Sequence, residues 1–225
     1  MQTCSIGRPG IMSIVDNSRY RSKRSSNATN SFMEISSQGN WLEQIHLQLN
    51  QLEYLNVSRN RLTSLLPINT PRLKYLNVSK NRLTRLNGLE TLTNLNILLA
   101  TSNQLLTTIG LQGCTHLLHI DVSDNHLVEM EQIDQCPLLI TMKATSNALI
   151  QIPSLYNAIL LNELDLSANS LTSFDDLSLG SWLPFLTHLR LANNSLQELS
   201  MIKLPALMEL DLAFNQISGK QFSSR

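Results

Sequence analysis

One pattern governs what this chain can fold into: L-x-x-L-x-L-x-x-N-x-L, present in eight in-register copies between residues 52 and 217. The copies are LEYLNVSRNRL (52–62), LKYLNVSKNRL (73–83), LNILLATSNQL (95–105), LLHIDVSDNHL (117–127), LITMKATSNAL (139–149), LNELDLSANSL (161–171), LTHLRLANNSL (186–196) and LMELDLAFNQI (207–217). Their asparagines are Asn60, Asn81, Asn103, Asn125, Asn147, Asn169, Asn194 and Asn215, separated by 21, 22, 22, 22, 22, 25 and 21 residues. A sustained period of this length means stacked units, none of which can bury its apolar face alone.

Each part of the motif has a physical reading. The alternation x-L-x-L-x marks a short strand with one buried face. Stacked at about 4.8 Å, such strands make a parallel sheet. The asparagine turns inward behind the strand, where its amide offers two donors and an acceptor to backbone groups that the turn leaves unpaired. The eight asparagines therefore read as a structural ladder. In the second half of the repeat, NRLTRLNGLETLTNL (81–95) places apolar residues at 83, 86, 89, 92 and 95, and NHLVEMEQIDQCPLL (125–139) at 127, 130, 133, 136 and 139. A strict three-residue step suits 3-10 or extended turns better than an α-helix of about 3.6 residues per turn.

Over roughly residues 42–217 these motifs resemble the 22-residue class of leucine-rich repeats, whose namesake is a regulatory subunit of type-1 protein phosphatase. The resemblance implies an α/β repeat solenoid: a leucine-rich-repeat horseshoe with a concave parallel β-sheet and a convex side of 3-10 and short helical turns. It also implies an intracellular scaffold or regulatory adaptor that holds a protein partner on the concave face, with phosphatase regulation among its forms. An alternative is the repeat segment of a larger signalling enzyme, similar to the leucine-rich-repeat protein phosphatases, with the catalytic domain outside this chain. A third is a secreted receptor ectodomain, against which the lack of Cys-rich caps counts.

The array spans 31–217. Residues 31–51 read as a degenerate first repeat, because Phe32, Ile35, Asn40 and Leu42 hold the pattern while polar Ser37 breaks it. Residues 1–30 are rich in Ser, Arg and Asn, without periodicity, and are expected to be disordered. Within them, Arg21 and Arg24 precede Ser25 and Ser26, a spacing that suits a basic-directed kinase and equally a solvated charge run. The segment SFDDLSLGSWLPFL (173–186) lengthens the sixth repeat and is expected to bulge on the convex side. Residues 218–225 follow the last motif without a return segment, which points to a fragment or short isoform.

Composition narrows the classes. Hydrophobic residues are 42% of the chain and aromatics 5%, so the core is aliphatic. Lys+Arg and Asp+Glu number 17 each, and zero net charge argues against a general nucleic-acid binder. No apolar leader or membrane-spanning stretch stands out. Three cysteines, Cys4, Cys114 and Cys136, are too few for a disulfide framework. The expectation is a cytoplasmic or nuclear monomer, in which the sequons at Asn27, Asn56, Asn77 and Asn193 carry no message. Cys114 and Cys136 stand three residues before the first Leu of their repeats, where others place Leu49, Leu92, Ala158, Leu183 and Leu204, and so read as buried small hydrophobes.

Phosphate-loop, dinucleotide, zincin and nucleophile-elbow patterns are missing from the sequence, and no enzyme activity or cofactor is expected. Cys114, His116, His119 and Cys136 do not make a metal cluster in this register, because Cys114 faces the core and His119 faces out.

Function falls instead to outward-facing strand positions. One row is Tyr54, Tyr75, Ile97, His119, Thr141, Glu163, His188 and Glu209, and the second is Asn56, Asn77, Leu99, Asp121, Lys143, Asp165, Arg190 and Asp211. The partner-binding candidates are Tyr54 and Tyr75 flanked by Arg59 and Lys80, then the apolar pair Ile97 and Leu99, then His119 and the alternating charges Asp121, Lys143, Asp165, Arg190 and Asp211. Cross-strand pairing would also account for the charges and the tyrosines. Exposed aliphatics on a sheet need a reason, and a partner supplies one.

Overall fold

The computed structural model describes residues 3–6, 10–15, 33–66, 68–173, 183–198 and 204–218. Among the described residues, thirteen strands divide between two sheets. The larger holds β3 (Met33–Ser36), β5 (Leu52–Asn56), β7 (Tyr75–Asn77), β8 (Ile97–Leu99), β9 (His119–Asp121), β10 (Thr141–Lys143), β11 (Glu163–Asp165), β12 (His188–Arg190) and β13 (Glu209–Asp211), paired in that order. All eight pairings are parallel, so the chain winds as a coil of one strand per repeat. The solenoid expected from the motif is the observed architecture.

Side-chain alternation does the packing. In β7, β8, β9, β10, β11 and β12 the central residue is buried and its two neighbours are half-exposed. Leu76, Leu98, Ile120, Met142, Leu164 and Leu189 thus project into a single aliphatic core. The three-residue step of the return segments fills the other side of it with Leu83, Leu86, Leu89, Leu92 and Leu95, all fully buried. Two of those segments close as 3-10 turns, at Leu89–Thr91 and Ile133–Gln135. Cys114 and Cys136 are buried where the register puts them.

The ladder is complete. Asn103 Nδ2 donates to Ala100 O in its own repeat and to Val78 O in the preceding one, both at 3.1 Å, while Oδ1 accepts Leu83 N–H at 3.1 Å. The same bonds recur at Asn81, Asn125, Asn147, Asn169, Asn194 and Asn215. The residue before each asparagine adopts a left-handed conformation, with φ between 53° and 57° at Arg59, Lys80, Ser102, Asp124, Ser146, Ala168, Asn193 and Phe214. None is glycine, so the asparagine's bonds must outweigh a local cost of about 1 kcal/mol per turn.

At the N-terminal end the described residues form a second sheet. Thr3–Ile6 (β1) and Ile11–Val15 (β2) form an antiparallel pair, while the rest of residues 1–30 apart from Gly10 lies outside the described residues. β2 in turn lies parallel to Gln44–Gln48 (β4), which pairs with Ile68–Asn69 (β6). The return side of the first repeats is therefore a four-stranded sheet instead of 3-10 turns. The physical reason is local: Ile45 and Leu47 are buried while Gln44 and Gln48 are exposed, a period-two pattern that makes a strand and leaves an edge for β2 to join. β3 pairs with β5, and Asn40 Nδ2 donates to Ser37 O at 3.1 Å as a ladder residue would. Arg21, Arg24, Ser25, Ser26, the insertion at 174–182 and residues 219–225 lie outside the described residues.

Candidate protein-binding face

Both outward rows run in unbroken register. Tyr54, Tyr75, Ile97, His119, Thr141, Glu163, His188 and Glu209 face one another across successive strands, as do Asn56, Asn77, Leu99, Asp121, Lys143, Asp165, Arg190 and Asp211. The rings of Tyr54 and Tyr75 stack with centroids 4.2 Å apart and planes 5° from parallel. Desolvation, followed by the hydrogen bond and charge of Tyr75, pushes the Tyr54 phenol above its ordinary value of 10.0. Beside this pair, Ile97 and Leu99 stand half-exposed.

Family models of the leucine-rich repeat match residues 159–217, 51–71 and 113–128. The chain is a leucine-rich-repeat protein. Its fold is similar to an internalin of Listeria monocytogenes, with a TM-score of 0.69 at 22% identity over 78% of this chain and 55% of that one. The functional domain of InlJ from the same organism, which includes a cysteine ladder, gives 0.66 at 30% identity over 79% of this chain and 38% of that one. The leucine-rich-repeat ectodomain of the Arabidopsis thaliana membrane receptor kinase GASSHO1/SCHENGEN3, in complex with CASPARIAN STRIP INTEGRITY FACTOR 2, gives 0.64 at 28% identity over 75% of this chain and 22% of that one. The chain thus spans about half or less of the length of each of these relatives. No curated protein sequence matches it.

On this leucine-rich-repeat array the charged half of the face pairs differently from the expected neutralisation of Asp by Lys and Arg. Lys143 meets Glu163 at 3.4 Å, and Arg190 joins Glu163 at 2.6 Å to Glu209 at 3.0 Å. Burial works to raise the Glu163 carboxyl, but the hydrogen bonds and charges of Arg190 and Lys143 outweigh it and hold it below 4.5. Asp121, Asp165 and Asp211 are occupied otherwise. Each accepts the backbone N–H two residues on, from Ser123, Ser167 and Ala213, at 3.0 Å. Asn56 and Asn77 do the same for Ser58 and Ser79. These five side chains close the turn after the strand, as Asx residues do, and the three Asp candidates lose some of their freedom to meet a partner.

Arg59 and Lys80 are exposed but do not flank the tyrosines on the sheet. They occupy the left-handed turns beyond it, on the rim. His119 lies on the face, while Cys114 is buried behind it and donates to Leu89 O. Burial pushes both thiols up to about 12.

The sequence reading missed an apolar extension of the face. In the position before the first motif Leu, repeats one to four carry polar residues. Arg72 bonds to Gln51 at 2.6 Å, Asn94 to Pro71 O at 2.8 Å and His116 to Thr93 O at 2.8 Å. Repeats five to seven carry Leu138, Leu160 and Phe185 there, with Leu160 and Phe185 exposed. Half-exposed Leu118 and Ile140 bridge from these to Ile97 and Leu99. An oblique apolar band results, running from the middle of the concave sheet to its flank. Comparing the repeats column by column outside the motif would have found it.

Proposed function

We propose that this chain is a protein-binding adaptor or scaffold that takes an extended segment of a partner across its concave face. The observation that carries the reading is the placement of Tyr54, Tyr75, Ile97 and Leu99 in adjoining, half-exposed register on one rigid sheet. Aromatic and aliphatic groups held this way give contact area with little ordering cost on binding. Leu118, Ile140 and Leu160 continue that surface, while Lys143, Glu163 and Arg190 border it with fixed charge. The similar receptor-kinase ectodomain is in complex with CASPARIAN STRIP INTEGRITY FACTOR 2, which supports a binding role for the fold.

A cytoplasmic or nuclear setting, where the free thiols of Cys114 and Cys136 stay reduced, belongs to the proposal. So does the absence of catalysis by the array itself: its outward groups are spread along a flat ladder. Phosphatase regulation is one form such an adaptor could take, and the residues of the face do not select it. The test is affinity purification from native lysate with the wild-type array and a Tyr54→Ala/Tyr75→Ala/Leu99→Ala variant, read by mass spectrometry. A partner captured by the wild type and lost with a variant that still melts cooperatively supports the reading. Identical captures overturn it.

A further inference from the structure

Zero net charge conceals a strong separation along the solenoid. Residues 59–85 contain seven cations and no anion: Arg59, Arg61, Arg72, Lys74, Lys80, Arg82 and Arg85. Residues 86–142 contain six anions, Glu90, Asp121, Asp124, Glu129, Glu131 and Asp134, and no Lys or Arg. The structure puts part of this separation on one flank, where the chain leaves the concave sheet.

Relative to the ladder asparagines Asn81 and Asn125, Lys80 and Asp124 share the preceding position, and Arg85 and Glu129 share the position four residues on. All four side chains are exposed. Among the described residues none of the four takes part in an ion pair. Repeat three separates the two sets and carries uncharged Ser102, Gln104 and Thr107 with Leu106, which is 59% exposed. The next two repeats place Val128 and Ile150 in the same column as Leu106, at 47% and 56% exposure.

This flank is self-complementary, and we propose that a second copy of the chain docks on it about a two-fold axis beside Leu106. A two-fold axis lying in the interface, along the segment of repeat three, exchanges repeats two and four and keeps each position of the segment at its own height. Lys80 of one copy then faces Asp124 of the other, and Arg85 faces Glu129, with both contacts made twice. Opposite charges in matched positions specify the register, and exposed Leu106 meets its own symmetry mate on the axis between them. The concave sheet is left open, so a partner and a second copy bind without competition. A single-sign nucleic-acid polymer would be repelled by the acidic half of the same flank.

The experiment is sedimentation equilibrium on the full chain at low and high salt, with a charge-swap pair. The wild type is expected to dimerise, more weakly as salt screens the contacts. Lys80→Glu/Arg85→Glu and Asp124→Lys/Glu129→Lys each turn the four contacts repulsive and are expected to weaken self-association at least about tenfold. Mixed together, the two variants restore every contact and should form a heterodimer. A wild type monomeric at all concentrations, growth beyond the dimer, or failure of the mixture to associate would overturn the proposal.

Discussion

Asn125 accepts the backbone N–H of Leu105, one repeat earlier, at 3.0 Å, while its Nδ2 donates to Ala100 O of that repeat at 3.0 Å and Val122 O of its own at 2.9 Å. One buried amide thus ties two coils at both edges of the turn. Asn125→Ala is expected to destabilise the array by about 1–3 kcal/mol, the cost of stranding buried backbone groups. Chemical denaturation measures it, and an unchanged midpoint would show that the ladder is dispensable there.

The stacked tyrosines should be coupled. A double-mutant cycle over Tyr54→Ala and Tyr75→Ala is expected to return about 0.5–1.5 kcal/mol of interaction, the range for aromatic pairs beyond their buried area. The double variant should still unfold in one cooperative step, because both rings lie on the face and not in the core. Loss of cooperativity would make the pair structural.

Gly113 is a packing requirement. A methyl group on it would stand 1.9 Å from the carbonyl oxygen of Glu90 in the preceding repeat. Two backbones meet there, so no side-chain rotation relieves the clash. Gly113→Ala is expected to cost about 3 kcal/mol or more, read as a lower melting temperature. Gly39→Ala, where nothing lies within 4 Å, controls for substitution of glycine as such, although its φ of +71° carries its own strain.

Cys114 and Cys136 should be inert. Burial, with a smaller contribution from nearby charge, pushes both thiols up to about 12, and the thiolate is the reactive form. In a Cys4→Ser background, a thiol reagent at pH 8 is expected to leave both unmodified in the native state and to react fully after unfolding. Rapid native labelling would place at least one of them at the surface.

The Glu163 cluster adds a small pH dependence. A carboxyl whose folded value lies below 4.5 binds its proton more readily when unfolded, so it stabilises the fold above that range. That stability is lost as pH falls through the folded value. Partial exposure keeps the contribution within about 1 kcal/mol. Glu163→Gln should flatten this part of the acid-stability profile, and an unaltered profile would mean the pairs contribute nothing.

Much of this molecule was legible in its sequence. The 22-residue period placed the motif leucines, the ladder asparagines and both outward rows, because a two-residue alternation settles which side of a strand each residue occupies. The same register put Tyr54 beside Tyr75, and their stacking was one of two readings of that pair. The rest depended on relationships between coils. Nothing in the period says that Lys143 and Arg190 reach sideways to Glu163, or that the aspartates beside them are held by backbone N–H groups of the next turn. Arg59 and Lys80 sit on the rim because a left-handed residue precedes each ladder asparagine, a geometry the motif does not spell out.

The sequence by itself determined the repeat, its register and its core, since those follow from alternation and spacing along one strand. Only the tertiary structure decided which charges meet, where the apolar band leaves the sheet, and that β2 completes a second sheet on β4. Those outcomes are set by distances between stacked coils and by competition among nearby hydrogen-bond partners, and neither is written in the order of residues along the chain.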